Sequence, residues 1–425
     1  MKRYFVFLLV ILATILFISM VSAAGSRDDR GVTAGSNANL ETPELDTAES
    51  NLPFAVRALA NETTTRVSVA SDGSEGNFDS TFSSISADGR YVAFQSYANN
   101  LVNNDTNGTG DIFVHDRQTG QTTRVSVASN GTEGNANSYD SSIISADGRY
   151  VAFISDANNL VSNDTNLATD VFVHDRQTGQ TTRVSVASNG TEGNDRSSAP
   201  TISADGRYLA FNSDASNLVS GDTNDQGDIF AHDRQTGQTT RVSIASDDTE
   251  GNSSSATPAV SVDGRYVAFQ SFASNLISGD TNGQGDIFVH DRQTGQITRV
   301  SVASDGTEGN NFSGFSPAIS ADGRYVAFHS YASNLVSDDT NGRPDVFVHD
   351  RQTGQTTRVS TASDGTEGNN HSLFYYPAFS ADGRFVAFYS TASNLVSGDT
   401  NGMGDVFVHD RGPELSQVYL PLVTK

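Results

Sequence analysis

The sequence predicts an all-β fold, a six-bladed β-propeller of four-stranded antiparallel blades, closed by an N-terminal outer strand that completes the last blade. Three observations predict it. The phrase TTRVS and its variants recur with their arginine at Arg66, Arg124, Arg183, Arg241, Arg299 and Arg358, at steps of 58, 59, 58, 58 and 59 residues. Each unit holds four short runs rich in Val, Ile, Phe, Tyr and Thr, separated by Gly, Asp and Asn, and shows no helical periodicity. The repeat also ends out of phase. A TTRVSVA phrase opens the series at Thr64, whereas nothing like it follows Arg411.

The first unit shows the elements in order. Phe82 to Ser86 (FSSIS) reads as strand A, and the turn Ala87-Asp88-Gly89-Arg90 leads into Tyr91 to Ser96 (YVAFQS) as strand B. A polar loop carries DTNGTG, Asp111 to His115 (DIFVH) is strand C, and DRQTGQ turns the chain into Thr122 to Ala128 as strand D. Asp-Gly and Gln-Thr-Gly suit hairpin turns because glycine takes a positive φ without steric cost. Four antiparallel strands repeated radially make a propeller. Strand D from the N-terminus is then expected to fill the empty edge of the last blade, protecting it from pairing elsewhere.

The ends and the charge bound the functional classes. Lys2 and Arg3 precede an apolar run from Tyr4 to Val21 and then VSAAGS, which reads as a signal peptide over residues 1–23. Residues 24–60 read as a flexible linker, 61–411 as the propeller and 412–425 as a C-terminal tail. The expected location is secreted, cell-surface or periplasmic, with membrane contact only if the leader stays uncleaved. With 26 basic and 50 acidic side chains the formal charge is −24, which repels nucleic acid and attracts cations. There is no cysteine, so neither a disulfide nor a thiolate metal site is available.

SADGRYVAF followed by DIFVHDRQTG resembles the PD40 (WD40-like) repeats of TolB-type six-bladed propellers, from Thr64 to Arg411. That family's phrase is close to SPDG; here Ala87 replaces the proline, Val262 does so in another copy, and there is no tryptophan. The resemblance implies the fold and little of the function, because such propellers include binding proteins, lyases and non-catalytic domains of peptidases.

Candidate sites fall into three groups. Six equivalent histidines (His115, His174, His232, His290, His349, His409) stand one per blade, too far apart for one ion, and are expected to be satisfied within their own blades. The acidic loops place oxygen ligands for Ca²⁺ at Asp105, Asn107 and Asp111; Asp164, Asn166 and Asp170; Asp222, Asn224 and Asp228. The series continues with Asp280, Asn282 and Asp286; Asp339, Asn341 and Asp345; Asp399, Asn401 and Asp405. No Glu closes these loops, and the alternative is an Asx turn in which Asp and Asn cap backbone amides.

The third group lies where the copies differ. Loops entering strand A, the innermost strand, carry Phe78, Tyr139, Phe312, Phe315, Phe374, Tyr375 and Tyr376, with Arg196 and His371 as polar handles. Aromatic rings and acids at a channel mouth suit a glycan or a peptide, hence a protein or glycan partner at the propeller face. No nucleophile elbow or unique carboxylate pair stands out. The leading expectation is therefore a non-catalytic binding or surface-scaffold module stabilised by Ca²⁺, and the alternative is a propeller polysaccharide lyase or glycoside hydrolase.

Overall fold

A computed structural model describes residues 64–412, without the side chains of residues 140–141 and 373–377. The proposed leader (1–23) and linker (24–60), with tail residues 413–425, lie outside the described residues. No described helix is long and apolar enough to cross a membrane.

The described chain forms six antiparallel sheets in sequence order, five of four strands and one of three. In blade one, strand A is Ser80–Ile85, B is Tyr91–Ser96, C is Asp111–Asp116 and D is Gln121–Arg124. Strand D is shorter than the sequence pattern implies. Val125 donates the last ladder bond to Ile112 O at 2.8 Å, after which the chain turns so that Val127 bridges to Glu133.

Alternation on strands B and C supplies the cores. Ala93, Ile112 and Val114 of blade one pack against Val151, Phe153 and Phe172 of blade two, and the pattern repeats between each later pair of blades. A phenylalanine pair spans strands B and C in every blade, buried in blades one to five, as in Phe153 and Phe172, whose ring centroids are 5.9 Å apart. Burying such a ring contributes about 1.5–3 kcal/mol. Consecutive blades are further joined by a cation–π contact, with Arg176 over Tyr91 and Arg234 over Tyr150, both at 4.2 Å. Within each blade the DGR arginine clamps the HDR aspartate in two parallel bonds, 2.9 and 2.8 Å from Arg90 to Asp116.

Strand A carries a bulge, with register shifts such as that between Thr81 and Ser84. Phe82, Ala199, Thr257 and Phe315 take left-handed backbone there, at φ of 48°, 49°, 51° and 55°. The A strands of blades two to six surround a central cavity of about 480 Å³, lined by small neutral residues including Ala199, Pro200, Thr257, Pro258 and Pro317.

The expected closure is overturned. Among the described residues blade six has three strands, Ser372–Phe379, Phe385–Ser390 and Asp405–Asp410, and Thr64 to Ala70 does not pair with the last of them. That segment follows blade one instead. Val69 bridges to Glu75, Ala70 N donates to Ser74 O, and Thr122 donates its hydroxyl to Val69 O. Local turns form at small entropic cost, whereas pairing with Asp405–Asp410 must join opposite ends of the propeller sequence. The consequences are visible on blade six. Val406 and Val408 are 75% and 66% exposed, while Ile112 and Val114, their blade-one equivalents, are fully buried. Arg117, whose equivalents stack on the preceding blade, reaches only Gly89 O of its own blade, at 2.7 Å.

Candidate functional site

The acidic loops fold as Asx turns and, in blades one to five, enclose an arginine. In blade one Asn107 Oδ1 accepts from Thr109 N at 2.9 Å, and its Nδ2 donates to Asp111 Oδ2 at 2.9 Å and Gly134 O at 3.0 Å. Ser126 donates its hydroxyl to the other Asp111 oxygen. Arg124 from strand D then lies 3.2 Å from Asp105, 3.1 Å from Asp111 and 2.9 Å from Glu133. Arg183, Arg241 and Arg299 stand likewise beside Asp164 and Asp170, Asp222 and Asp228, and Asp280 and Asp286. Arg358 contacts Asp345 and Glu367. In blade six Asn401 still turns its loop by accepting from Met403 N and donates to Asp405, but no arginine pairs with Asp399 or Asp405 among the described residues.

Each full cage sets one cation against three carboxylates. Burial, with the neighbouring aspartate second, pushes Asp105, Asp164, Asp222, Asp280 and Asp339 up to about 6. Burial also acts upward on Glu250, but bonds from Thr223 and Arg241 outweigh it and hold the group at about 2. Two clusters, Asp222 with Asp228 and Glu250, and Asp339 with Asp345 and Glu367, bring one oxygen each within 4.8 Å of one another and can hold a metal ion. The donors are hard oxygens suited to Ca²⁺ or Mg²⁺. A guanidinium already stands among them.

The raised aspartates make a pH prediction. A carboxyl whose folded pKa lies above its unfolded value binds its proton more tightly in the native state, so its contribution falls as pH rises from about 4 to about 6. Asp222→Asn, neutral throughout, is expected to raise the urea midpoint at pH 7.5 and to leave it almost unchanged at pH 4.5. An equal loss at both values would refute this.

Four of the six repeated histidines are satisfied inside their blades by a strand-D hydroxyl, whereas the buried Nδ1 of His290 has no hydrogen-bond partner. His115, His174, His232 and His349 meet Thr122, Thr181, Thr239 and Thr356 at 2.9 Å. Ile297 replaces that threonine beside His290. Burial lowers His174, His232, His290 and His349 to about 4, so they are neutral at pH 7.

Of the variable aromatics, the structure brings Phe312 and Phe315 together. Phe312 stacks on Phe272 of blade four at 5.8 Å and meets Phe315 edge-on at 5.3 Å. Phe315, 55% exposed, lies parallel to His329 at 5.3 Å, and Tyr331 completes the group. His329 is 1% exposed, and neither ring nitrogen has a hydrogen-bond partner. Phe78 and Tyr139 belong elsewhere: Phe78 sits edge-on to Tyr97, and the Tyr139 hydroxyl donates to Asp156 at 3.1 Å. Arg196 is exposed, and His371 lies 3.3 Å from Arg343. The side chains of Phe374, Tyr375 and Tyr376 are outside the description.

The sequence reading missed the caged arginines, although each follows its strand-C aspartate at the same spacing, Asp111 to Arg124 in the first copy. It also missed Phe272, Tyr331 and His329. The signal for the last was a strand-B position that reads Gln95, Ile154, Asn212, Gln270, His329 and Tyr389 across the copies.

No protein-family model matches the chain, and no curated protein does. Among solved structures it is similar to TolB from Acinetobacter baumannii, at 19% identity and a TM-score of 0.39, over 71% of this chain and 57% of that one. This chain thus spans little more than half of that protein. It is also similar to a putative TolB from Agrobacterium tumefaciens, at 17% identity and a TM-score of 0.41, over 78% of this chain and 90% of that one. A manganese-bound oligogalacturonate lyase is similar at 13% identity and a TM-score of 0.39, over 78% of this chain and 88% of that one. At these identities and TM-scores the likeness extends to no activity or partner.

Proposed function

We propose that the chain is an exported, non-catalytic propeller that binds a glycan or peptide segment on the aromatic surface of blades four and five. One observation carries this reading: Phe272, Phe312, Phe315 and Tyr331 form a single cluster with the Phe315 ring open to solvent. Flat rings bordered by polar loops give an extended ligand apolar contact and oriented hydrogen bonds. The carboxylate cages take Ca²⁺ as a stabilising ion in this reading, supported by the two clusters able to hold a metal.

The test is titration calorimetry against oligosaccharide and peptide panels. Phe315→Ala is expected to weaken the best binder about tenfold, as the loss of 1–1.5 kcal/mol of ring contact implies, with an unchanged melting temperature. Undiminished binding would remove the aromatic site. A lyase or hydrolase is the second reading, favoured by the metal-capable cluster of Asp222, Asp228 and Glu250. It requires cleavage of a glycan that stops when Asp228 becomes Asn.

A further inference from the structure

We propose that blade six is an acceptor for the Thr64 to Ala70 segment of a second copy of this chain, which adds as the fourth strand along Asp405–Asp410. Acceptor and donor each carry half of a unit that blades one to five complete within themselves. On the acceptor, strand C of blade six pairs only with Phe385–Ser390, and its outer edge is free of any described strand. In blade one the corresponding edge pairs with strand D, Phe113 opposite Arg124 and His115 opposite Thr122. Asp399 and Asp405 have no arginine among the described residues, whereas their blade-one equivalents share Arg124. Val406 and Val408 border the same edge and face solvent.

The donor has the complementary deficits. Thr64 to Ala70 reads TTRVSVA, identical to Thr122 to Ala128, which fills this place in blade one, and to Thr181 to Ala187 in blade two. Arg66 pairs with Glu75, as Arg124 does with Glu133, but lacks both aspartates, and its side chain is 59% exposed. The segment is tied to blade one by the bond from Thr122 to Val69 O, the same tie that joins Thr181 to Val127 O between blades one and two. Donation to another copy therefore repeats a contact that consecutive blades already make, and brings the donor's first blade beside Val406 and Val408. Strand addition of this kind takes its affinity from main-chain bonds and its register from side chains, here Arg66 entering the Asp399 and Asp405 loop. The contact is heterologous, so it propagates into a ring or a filament.

The experiment is light scattering of the full chain across a wide range of concentration, with Arg66→Glu and Asp405→Arg as separate variants. The wild type is expected to grow beyond a dimer with concentration, and each variant alone to remain monomeric. An equimolar mixture of the two is expected to stop at a dimer, because the Asp405→Arg copy can still donate and the Arg66→Glu copy can still accept. A wild type that stays monomeric, as closure within one chain would produce, overturns the proposal. So do variants that associate like the wild type, or a mixture that fails to pair.

Discussion

Arg241→Met is expected to lower the unfolding free energy by about 3–5 kcal/mol, the cost of leaving buried charge without its partner. The methionine keeps an apolar stem where the arginine side chain is only 6% exposed, so the loss reports the guanidinium. That group lies 3.5 Å from Asp222, 3.2 Å from Asp228 and 2.6 Å from Glu250. Without it three carboxylates face one another, and their oxygens lie within 4.8 Å, close enough for a divalent cation to replace the lost charge. Millimolar CaCl₂ should therefore restore the variant's urea midpoint by more than it moves that of the wild type. Arg384→Met is the control. Its pair with Asp410 is exposed and screened by solvent, so its removal should leave the urea midpoint almost unchanged. Equal losses for the two substitutions would show that the cage contributes no more than a surface ion pair.

Gly206→Ala is expected to cost about 3 kcal/mol, joining a left-handed backbone penalty of about 1–2 kcal/mol to an overpacking penalty of similar size. The residue sits at φ +70° in the A–B turn of blade three, where an added Cβ would lie 2.1 Å from Cδ2 of Tyr150 in blade two. That ring is held between Arg149 at 4.7 Å and Arg234 at 4.2 Å, so it has little room to yield. Gly237 has almost the same φ, +73°, with nothing within 4 Å of its Cβ position. Gly237→Ala should therefore show only the backbone part, about 1–2 kcal/mol. Tyr150→Ala in the Gly206→Ala background should recover the difference, a coupling that a double-mutant cycle reads directly. Identical losses at Gly206 and Gly237 would mean that the ring does not lock the two blades.

The blades were legible because their causes are short-range. Asp-Gly and Thr-Gly turns and the short apolar runs YVAF and IFV act within a few residues, and every predicted A, B and C strand is present in all six copies. Strand D was read too long. Its last residues serve the next blade, as Val127 does by accepting from Thr181, and a strand pattern carries no trace of that. The DTN loops were legible as acid-rich turns. That Arg124 would stand among Asp105, Asp111 and Glu133 depends on three segments meeting in space. The aromatic surface was half legible: Phe312 and Phe315 were found, while Phe272, Tyr331 and His329 join them only because blades four and five pack face to face.

The number of blades and the place of each turn were readable from residue order alone, because short apolar runs and turn chemistry act locally. Only the tertiary structure decided how the ends behave and how the acidic loops are neutralised. The N-terminal TTRVSVA has the same side chains as the strand-D phrases of blades one and two, yet it stays on blade one. Its local contacts with Ser74 and Glu75, and the bond it accepts from Thr122 of blade one, form without joining the two ends of the propeller sequence. Asp399 and Asp405 carry the same acids as the other loops but have no arginine among the described residues, because the strand that would deliver it lies on blade one. Side-chain identity is local, whereas the partner a side chain finds depends on the entropy of bringing distant segments together.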